Sequence, residues 1–468
     1  MSTEIAFDTV RGLKRRLTAG EITPGELVDV FADRIATHNE RSKAFITVTA
    51  DQARDEAARL TADDLTASAF AGVPYASKDL FDVAGVLTSA GSRVFHDRIA
   101  TEDAFAVAQM RQAGAVSMGK TNLHEFAYGA TGENEVYGTC VNAYDTTRLA
   151  GGSSSGSAAA VAFGLVPASL GTDTGGSVRA PAALNGLVGL KPTIGRVPTT
   201  GVVPYCWTLD HVGLMTRDVA DCADFLGIVA GYDPRDPGAQ NIPVEDYAAA
   251  LDRDISGLRV GIPENFYYDR TDPEILAAMD AVKSYLVAQG AKLVAVRFPD
   301  MEHSRAVSLT VQMPEALSAH SAYLQERGAL YGTDFRAGLA LGQTLLAEHY
   351  VRAKRFVEVY RQRTNALFDE VDLMLTPATP EIAQPLGTVK TTRDGVDEAV
   401  GNAITRFTTF FNMSGHPALT MPCAMHSAGL PIALQLVGRY FEESTVLRAA
   451  HALERNDAFA IPRPKVDL

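Results

Sequence analysis

Cysteine is scarce: the 468 residues contain four, Cys140, Cys206, Cys222 and Cys423. None forms a CxxC pair, which argues against both a disulfide framework and a zinc site. All four read as small buried apolar residues. Positive charge is also in short supply, because 42 Lys and Arg stand against 56 Asp and Glu, a formal charge of -14. No basic block interrupts that balance, so direct nucleic-acid binding is not expected. No run reaches the roughly 18 apolar residues of a membrane span. The opening MSTEIAFDTVRGLKRRL is polar and amphipathic, without the apolar core of a signal peptide. The sequence therefore predicts a cytoplasmic protein that does not associate with membranes.

What the chain has is ordinary globular composition, with 46% hydrophobic and 21% charged residues, enough to bury a sizeable core. ITPGELVDVFADRIATHNE opens with Thr23, Pro24 and Glu26, a capping box with proline at the first helical position, so a helix is expected to about His38. AFITVTA reads as a strand rich in β-branched residues and DQARDEAARL as a second helix. Such alternation predicts an α/β layered fold. Residues 265–365 carry helical apolar spacing and few strand signals, the pattern of a helical insertion or lid. Near the end, PALTMPCAMHSAGLPIALQLVGR gives two strands around a turn, then a helix over EESTVLRAAHALER. With no internal repeat and no long linker, the expectation is one domain over 1–468 with 265–365 inserted in it.

Two short stretches carry chemistry. LAGGSSSGSAAAVA, residues 149–162, runs from glycine and serine into a helix-forming alanine run, which suits a packed helix start better than a linker. It lacks the lysine of a phosphate-binding loop. Its formal GxSxG match at Gly152 to Gly156 follows NAYDTTRLA, too polar for the buried strand a nucleophile elbow needs. The second stretch, PASLGTDTGGSVRAPAALNG, reads as a strand over 167–173, a tight turn over Thr174 to Gly176, and a short helix from Ser177 to about Gly186. Gly175 and Gly176 let the backbone approach a bound carbonyl, and free N–H groups at that helix start suit an oxyanion. No histidine lies where it would be an obvious base. Lys78, after the apolar stretch in AGVPYASKD, is a candidate, although most lysines are solvated. Burial would bring its pKa from ~10.4 towards the ~7 to 8 useful in a base.

Lys78, GGSSSGSAAAVA and GTDTGGSVRAPA together resemble the amidase signature family, and the likeness continues through TNLHEFAYGATGEN, GLKPTIGRVPTTGVVP, TLDHVGLMTRDVAD and GLPIALQLVGRYFEESTVLRAAHALE. The resemblance implies an α/β/α sandwich on a large mixed β-sheet, and a Ser-cisSer-Lys triad. Ser177 would be the nucleophile, Ser153 the bridging serine after a cis peptide bond, and Lys78 the ultimate base. The backbone N–H groups of Thr174, Gly175, Gly176 and Ser177 would form the oxyanion hole, with no metal or organic cofactor. Asp173 and Arg179 would hold the loop by hydrogen bonds. HEFAY at 124–128 is not HExxH, since Tyr128 replaces the second histidine, and His124 reads as structural. Phe126, Tyr128, Tyr137, Tyr205 and Trp207 are candidate pocket aromatics, with core packing the competing reading.

Two functions compete under that resemblance. One is a stand-alone hydrolase of a small, apolar or aromatic amide, with carbamates and hydrazides offering the same carbonyl. The other is the glutaminase component of a tRNA-dependent amidotransferase, the part of an assembly that delivers ammonia to a partner. The family's glutaminases place an arginine and an aspartate where this sequence aligns Ala337 or Gly338 and Thr405, with Arg336 and Arg406 one residue away. A zwitterion without charge partners would be costly to desolvate, which favours the hydrolase. The sequence leaves oligomeric state open and allows a homo-oligomer.

Overall fold

In a computed structural model, which describes residues 2–298 and 300–466, the chain is α/β. Its strands are β1 (Phe45–Val48), β2 (Pro74–Lys78), β3 (Val116–Thr121), β4 (Ala168–Asp173), β5 (Val188–Lys191) and β6 (His211–Thr216). They continue as β7 (Arg259–Pro263), β8 (Lys292–Val296), β9 (Leu373–Pro377), β10 (Lys390–Arg393), β11 (Val396–Ala399), β12 (Ala418–Met425) and β13 (Pro431–Gly438). Eleven of them form a mixed sheet in the order β1-β3-β2-β4-β6-β5-β12-β13-β9-β7-β8, and β10 and β11 form a separate hairpin. The middle of the sheet, from β4 to β9, is antiparallel, while β3-β2-β4 and β9-β7-β8 run parallel.

Helices cover both faces, and the strands record this in their period of two. Leu373 and Leu375 of β9 join one apolar cluster, while Met374 between them joins another. On β12, Leu419 and Met421 go with the first cluster and Ala418 with the second. On β13, Leu434 and Leu436 again face away from Val437. Two cores separated by one sheet make the α/β/α sandwich.

Local sequence explains the helices that matter below. In α1 (Pro24–Ser42) the capping box is complete, with Thr23 accepting from the Glu26 N–H and Glu26 accepting from the Thr23 N–H. AFITVTA supplies β1, and α2 (Ala50–Arg59) follows. The alanine run forms α3 (Ser155–Ala162), buried on every side. The short α4 (Arg179–Leu184) follows the glycine turn.

Residues 265–365 are mostly helical, as expected of a helical insertion with few strand signals, but they include one sheet strand. α5 (Pro273–Ala288) links β7 to β8, and β8 pairs in parallel with β7 at the sheet edge. The helical group proper is α6 (Ser304–Arg327), α7 (Thr333–Thr344) and α8 (Ala347–Glu370). β8 escapes notice in the sequence because Lys292, Leu293 and Ala295 are exposed, which removes the apolar alternation of a strand. No helix among the described residues is long and apolar enough to cross a membrane.

Candidate active site

Lys78 ends β2, and β2 lies beside the parallel β4, which ends at Asp173. Both segments therefore leave the sheet at the carboxyl ends of neighbouring strands, the usual location of sites in parallel sheets. The Lys78 ammonium is fully buried and donates to Ser153 Oγ at 2.8 Å and to Thr172 Oγ1 at 2.7 Å. Burial lowers its pKa to about 7, against the pull of the Asp210 and Asp173 carboxylates. Lys120 and Lys191 are also buried, but their partners differ. Lys120 is ion-paired with Asp79 at 2.9 Å, and Lys191 donates to the His416 and Pro192 carbonyls. Lys120 also reaches the Thr88 hydroxyl, so Lys78 is set apart by having hydroxyls as its only hydrogen-bond partners.

The serine-rich stretch divides its hydroxyls by task. Ser154 Oγ donates to the Thr172 carbonyl and accepts from its N–H, and Ser157 Oγ donates to the Leu170 carbonyl, so both tie α3 to β4. Ser153 faces Lys78 instead. The peptide bond from Gly152 to Ser153 is cis. The Ser154 N–H donates to the Ser177 carbonyl at 3.1 Å, tying this segment to the glycine turn. The His124 N–H donates to the Ser153 carbonyl at 3.1 Å.

The turn is held from below by a closed polar network. Asp173 accepts from the N–H groups of Gly176, Val178 and Arg179. It also accepts from the Arg179 guanidinium at 2.9 and 3.0 Å and from Asn412 Nδ2 at 2.8 Å. Arg179 further donates to Gln435 Oε1 and Asn412 Oδ1. The arginine and these donors push the Asp173 carboxyl well below its usual range in spite of burial. Such a pair survives burial because every donor and acceptor is matched.

One expectation for the oxyanion donors is corrected here. The Gly176 N–H is taken by Asp173 Oδ1 at 2.7 Å, and Gly176 does not line the cavity described next. Thr174, Gly175 and Ser177 do line it, and their N–H groups have no protein acceptor among the described residues. Gly176 has another reason to be glycine: its φ is +127°, and a Cβ would fall 1.9 Å from Thr408 Oγ1. The hydroxyls of Thr408 and Thr409 hold the Gly175 carbonyl at 2.8 and 3.0 Å.

Ser177 opens onto a cavity of about 540 Å³, a size suited to a small ligand. Of the five aromatics expected there, Tyr128 and Tyr205 line it. Tyr205 is held by its hydroxyl, which donates to Gln312 Oε1 at 3.0 Å, and by its N–H, which donates to Asp210 Oδ2 at 2.9 Å. Asp210 also accepts from Thr174 Oγ1 at 2.5 Å, so one carboxylate ties the turn to the cavity wall, and burial raises its pKa. The other three aromatics do not line the cavity. Phe126 is buried in an aromatic cluster with Phe95, His320, Tyr331 and Phe335. Trp207 is 65% exposed on the surface, and Tyr137 is half-buried outside the lining.

The rest of the lining is mixed in polarity, and sequence reasoning missed most of it. α6 contributes Arg305, Leu309 and Gln312, spaced i, i+4, i+7 along one helical face. Gly387, Thr388 and Val389 before the β10–β11 hairpin, Ala399 at its end and Val400 to Asn402 after it also line the cavity. His124, read from the sequence as structural, also lines the cavity, and burial holds its pKa near 4. Ala337 and Thr405 are both lining residues, whereas Gly338 packs under the Tyr128 ring. Arg336 is exposed and Arg406 stacks over Phe266 and Phe407, and neither lines the cavity.

Comparison with known proteins fits this geometry. The family profile for Amidase matches residues 26–447. The chain is 38% identical to the glutamyl-tRNA(Gln) amidotransferase A subunit of Roseiflexus sp. (strain RS-1), over 96% of both chains. It superposes with a TM-score of 0.93 and 34% identity, over 98% of this chain and all of the other, on a chain from a vestigial protein complex bearing on the evolutionary origins of an s-triazine catabolic enzyme. The peptide amidase of Stenotrophomonas maltophilia superposes with a TM-score of 0.84 and 29% identity, over 98% and 99% of the two chains.

Proposed function

Since this chain belongs to the amidase signature family, whose members are amidohydrolases acting on C–N bonds, we propose that it is a stand-alone amidase that hydrolyses a small amide through an acyl-enzyme on Ser177. The observation that carries this reading is the Lys78 ammonium, brought to about pKa 7 and 2.8 Å from Ser153 Oγ. A lysine with a pKa of about 7 is about half neutral at pH 7 and can accept a proton there, whereas a solvated lysine is almost wholly protonated.

In this reading Ser177 Oγ attacks the carbonyl carbon while its proton passes to Ser153 Oγ, and the Ser153 proton passes to neutral Lys78. The carbonyl π pair moves onto oxygen, held by the N–H groups of Thr174, Gly175 and Ser177. When the oxyanion collapses, the C–N bond breaks, and the proton stored on Lys78 returns through Ser153 to the departing nitrogen. Water then attacks the acyl carbon, its proton passing through Ser153 to Lys78, and when the ester C–O bond breaks that proton returns through Ser153 to Ser177 Oγ and the acid leaves. The mixed lining, to which only Tyr128 and Tyr205 of those aromatics contribute, supports a small amide of mixed polarity over the apolar or aromatic amide expected from the sequence. Carbamates and hydrazides present the same carbonyl to the same donors.

The glutaminase reading draws on the likeness to amidotransferase A subunits. Against it, Ala337 and Thr405 supply no charge where the family's glutaminases would use arginine and aspartate. The deciding measurement is ammonia or amine release from glutamine, small primary amides, anilides and aryl carbamates, with Ser177→Ala as the blank. Release from the amides but not glutamine, abolished in Ser177→Ala, supports the stand-alone hydrolase. Activity confined to glutamine would replace it with the glutaminase, and an acyl adduct formed on Ser177→Ala would overturn the choice of nucleophile.

A further inference from the structure

Two hydroxyls from the far end of the chain converge on one carbonyl of the glycine turn. Thr408 and Thr409, at the start of α9 (Thr409–Ser414), lie 233 and 234 residues beyond Gly175 and reach its carbonyl at 2.8 and 3.0 Å. Each hydroxyl has a single proton to give and a second acceptor within reach, the Thr405 carbonyl at 3.1 and 2.9 Å. Bonding back along the chain to Thr405 would satisfy both hydroxyls. Gly175 itself is only half-buried and faces the cavity, where water could serve its carbonyl. The fold therefore does not depend on the bonds to Gly175.

Those bonds complete a lock on the turn. The peptide from Gly175 to Gly176 is held at its other end by the Gly176 N–H, which donates to Asp173 Oδ1 at 2.7 Å. The peptide from Asp173 to Thr174 is held through its carbonyl, which accepts from Asn412 Nδ2 at 2.8 Å. Asn412 also lies in α9, so this one short helix fastens two peptides of the turn. The helix is firmly seated, with Phe410 and Phe411 packed on Phe298 and Asn412 Oδ1 accepting from Arg179 at 2.6 Å.

Gly175 and Gly176 are the softest part of the turn, because neither has a Cβ to restrict its dihedrals. Rotation of the peptide between them would swing the Gly175 carbonyl oxygen towards Ser177, where a developing oxyanion needs donors and is repelled by acceptors. From this geometry, and resting on the amidase reading, we propose that Thr408 and Thr409 are positioning residues for the oxyanion site. Their hydroxyls draw the Gly175 carbonyl away from the cavity and keep the N–H groups of Thr174, Gly175 and Ser177 aimed into it. Neither threonine lines the cavity, so both act through the turn and not on the substrate.

The test compares Thr408→Val, Thr409→Val and the double variant, which keep the branched shape and lose the hydroxyls, with Thr408→Ser and Thr409→Ser, which keep the hydroxyls. One readout is kcat and KM on an amide that the wild-type protein turns over. The other is the rate at which a small alkyl fluorophosphonate modifies Ser177, followed by mass spectrometry with Ser177→Ala as the blank. In that reaction Ser177 Oγ bonds to phosphorus, fluoride leaves, the serine proton passes to the relay, and the phosphoryl oxygen meets the same N–H groups. The double valine variant is expected to lower kcat and the modification rate by about 10²-fold, the scale of a lost oxyanion donor, with KM nearly unchanged. The serine variants should stay near wild type. Melting temperatures are measured alongside, and if one valine variant does not fold the other carries the comparison with its serine counterpart. Unchanged rates in the valine variants, a loss shared by the serine variants, or a loss confined to KM overturns the inference while leaving the amidase reading intact. Absence of amide turnover, with modification of Ser177 that the valine variants slow and the serine variants do not, sustains the inference and sinks the amidase reading. Absence of both reactions in the wild-type protein overturns the inference together with that reading.

Discussion

Lys78 shows how much a single side chain owes to its surroundings. It follows Ser77 in an unbroken buried strand, and its only hydrogen-bond acceptors are two hydroxyls. Desolvation lowers its pKa to about 7, so the neutral, proton-accepting form predominates above that pH and the ammonium below it. The expected pH profile follows with its sign: kcat/KM rises with pH through about 7 and reaches a plateau on the alkaline side. Lys78→Ala should lower kcat by ~10²-fold or more and remove that limb. An unchanged rate and profile in the variant would refute the assignment. In the sequence, Lys78, Ser153 and Ser177 were singled out together only through the resemblance to the amidase signature family. Which of the pocket aromatics face inward was not legible, because inward and outward directions are set by distant anchors. Tyr205 is drawn in by Asp210 and Gln312, while Trp207, two residues on, is left at the surface. Arg305 was equally hidden, since nothing in SRAVSLT distinguishes a cavity-lining arginine from a solvated one.

At the scale of the element, the glycine turn between β4 and α4 joins backbone shape to donor placement. Gly175 and Gly176 look alike in the sequence but face different constraints. A methyl group at Gly176 meets the Thr408 hydroxyl at 1.9 Å and requires a positive φ, whereas at Gly175 its nearest neighbour is Thr409 Oγ1 at 3.5 Å. Gly176→Ala should therefore distort the turn and reduce kcat by at least ~10²-fold, comparable to losing an oxyanion donor. Gly175→Ala should fold with a nearly unchanged melting temperature. Measuring both variants by thermal unfolding and by turnover checks the pair, and equal behaviour would contradict this account. Helices and strands with strong local signals were legible beforehand, including α1 with its capping box and the β12–β13 pair. β8 was not, because it is an edge strand whose outer residues are solvated and whose identity depends on pairing with β7.

The whole molecule is two cores on either side of one sheet, and its thiols report on that closure. Cys140, Cys206, Cys222 and Cys423 are all buried and unpaired, and burial raises each thiol pKa. A thiol-specific reagent should therefore label none of them quickly in the native protein and all four after denaturation. Rapid labelling of any one at neutral pH would mean that its part of the core opens more readily than the packing indicates. The layered α/β class was legible from alternating segments, but the strand order was not. Pairs such as β4 with β6 and β5 with β12 join segments distant in the chain, and register between them is decided by packing.

The proposed chemistry and one part of the cavity wall come from different parts of the chain. Lys78 stands on β2, Ser153 just before α3 and Ser177 on the β4–α4 turn, whereas Arg305, Leu309, Gln312 and the flanks of the β10–β11 hairpin come from residues beyond 300. Heritable change can therefore act on one without the other. A lineage that substitutes residues 305–312 and 387–405 explores new substrates while every intermediate keeps Lys78, Ser153 and Ser177, the residues of the proposed relay, so selection need not cross a stretch of inactive ancestors.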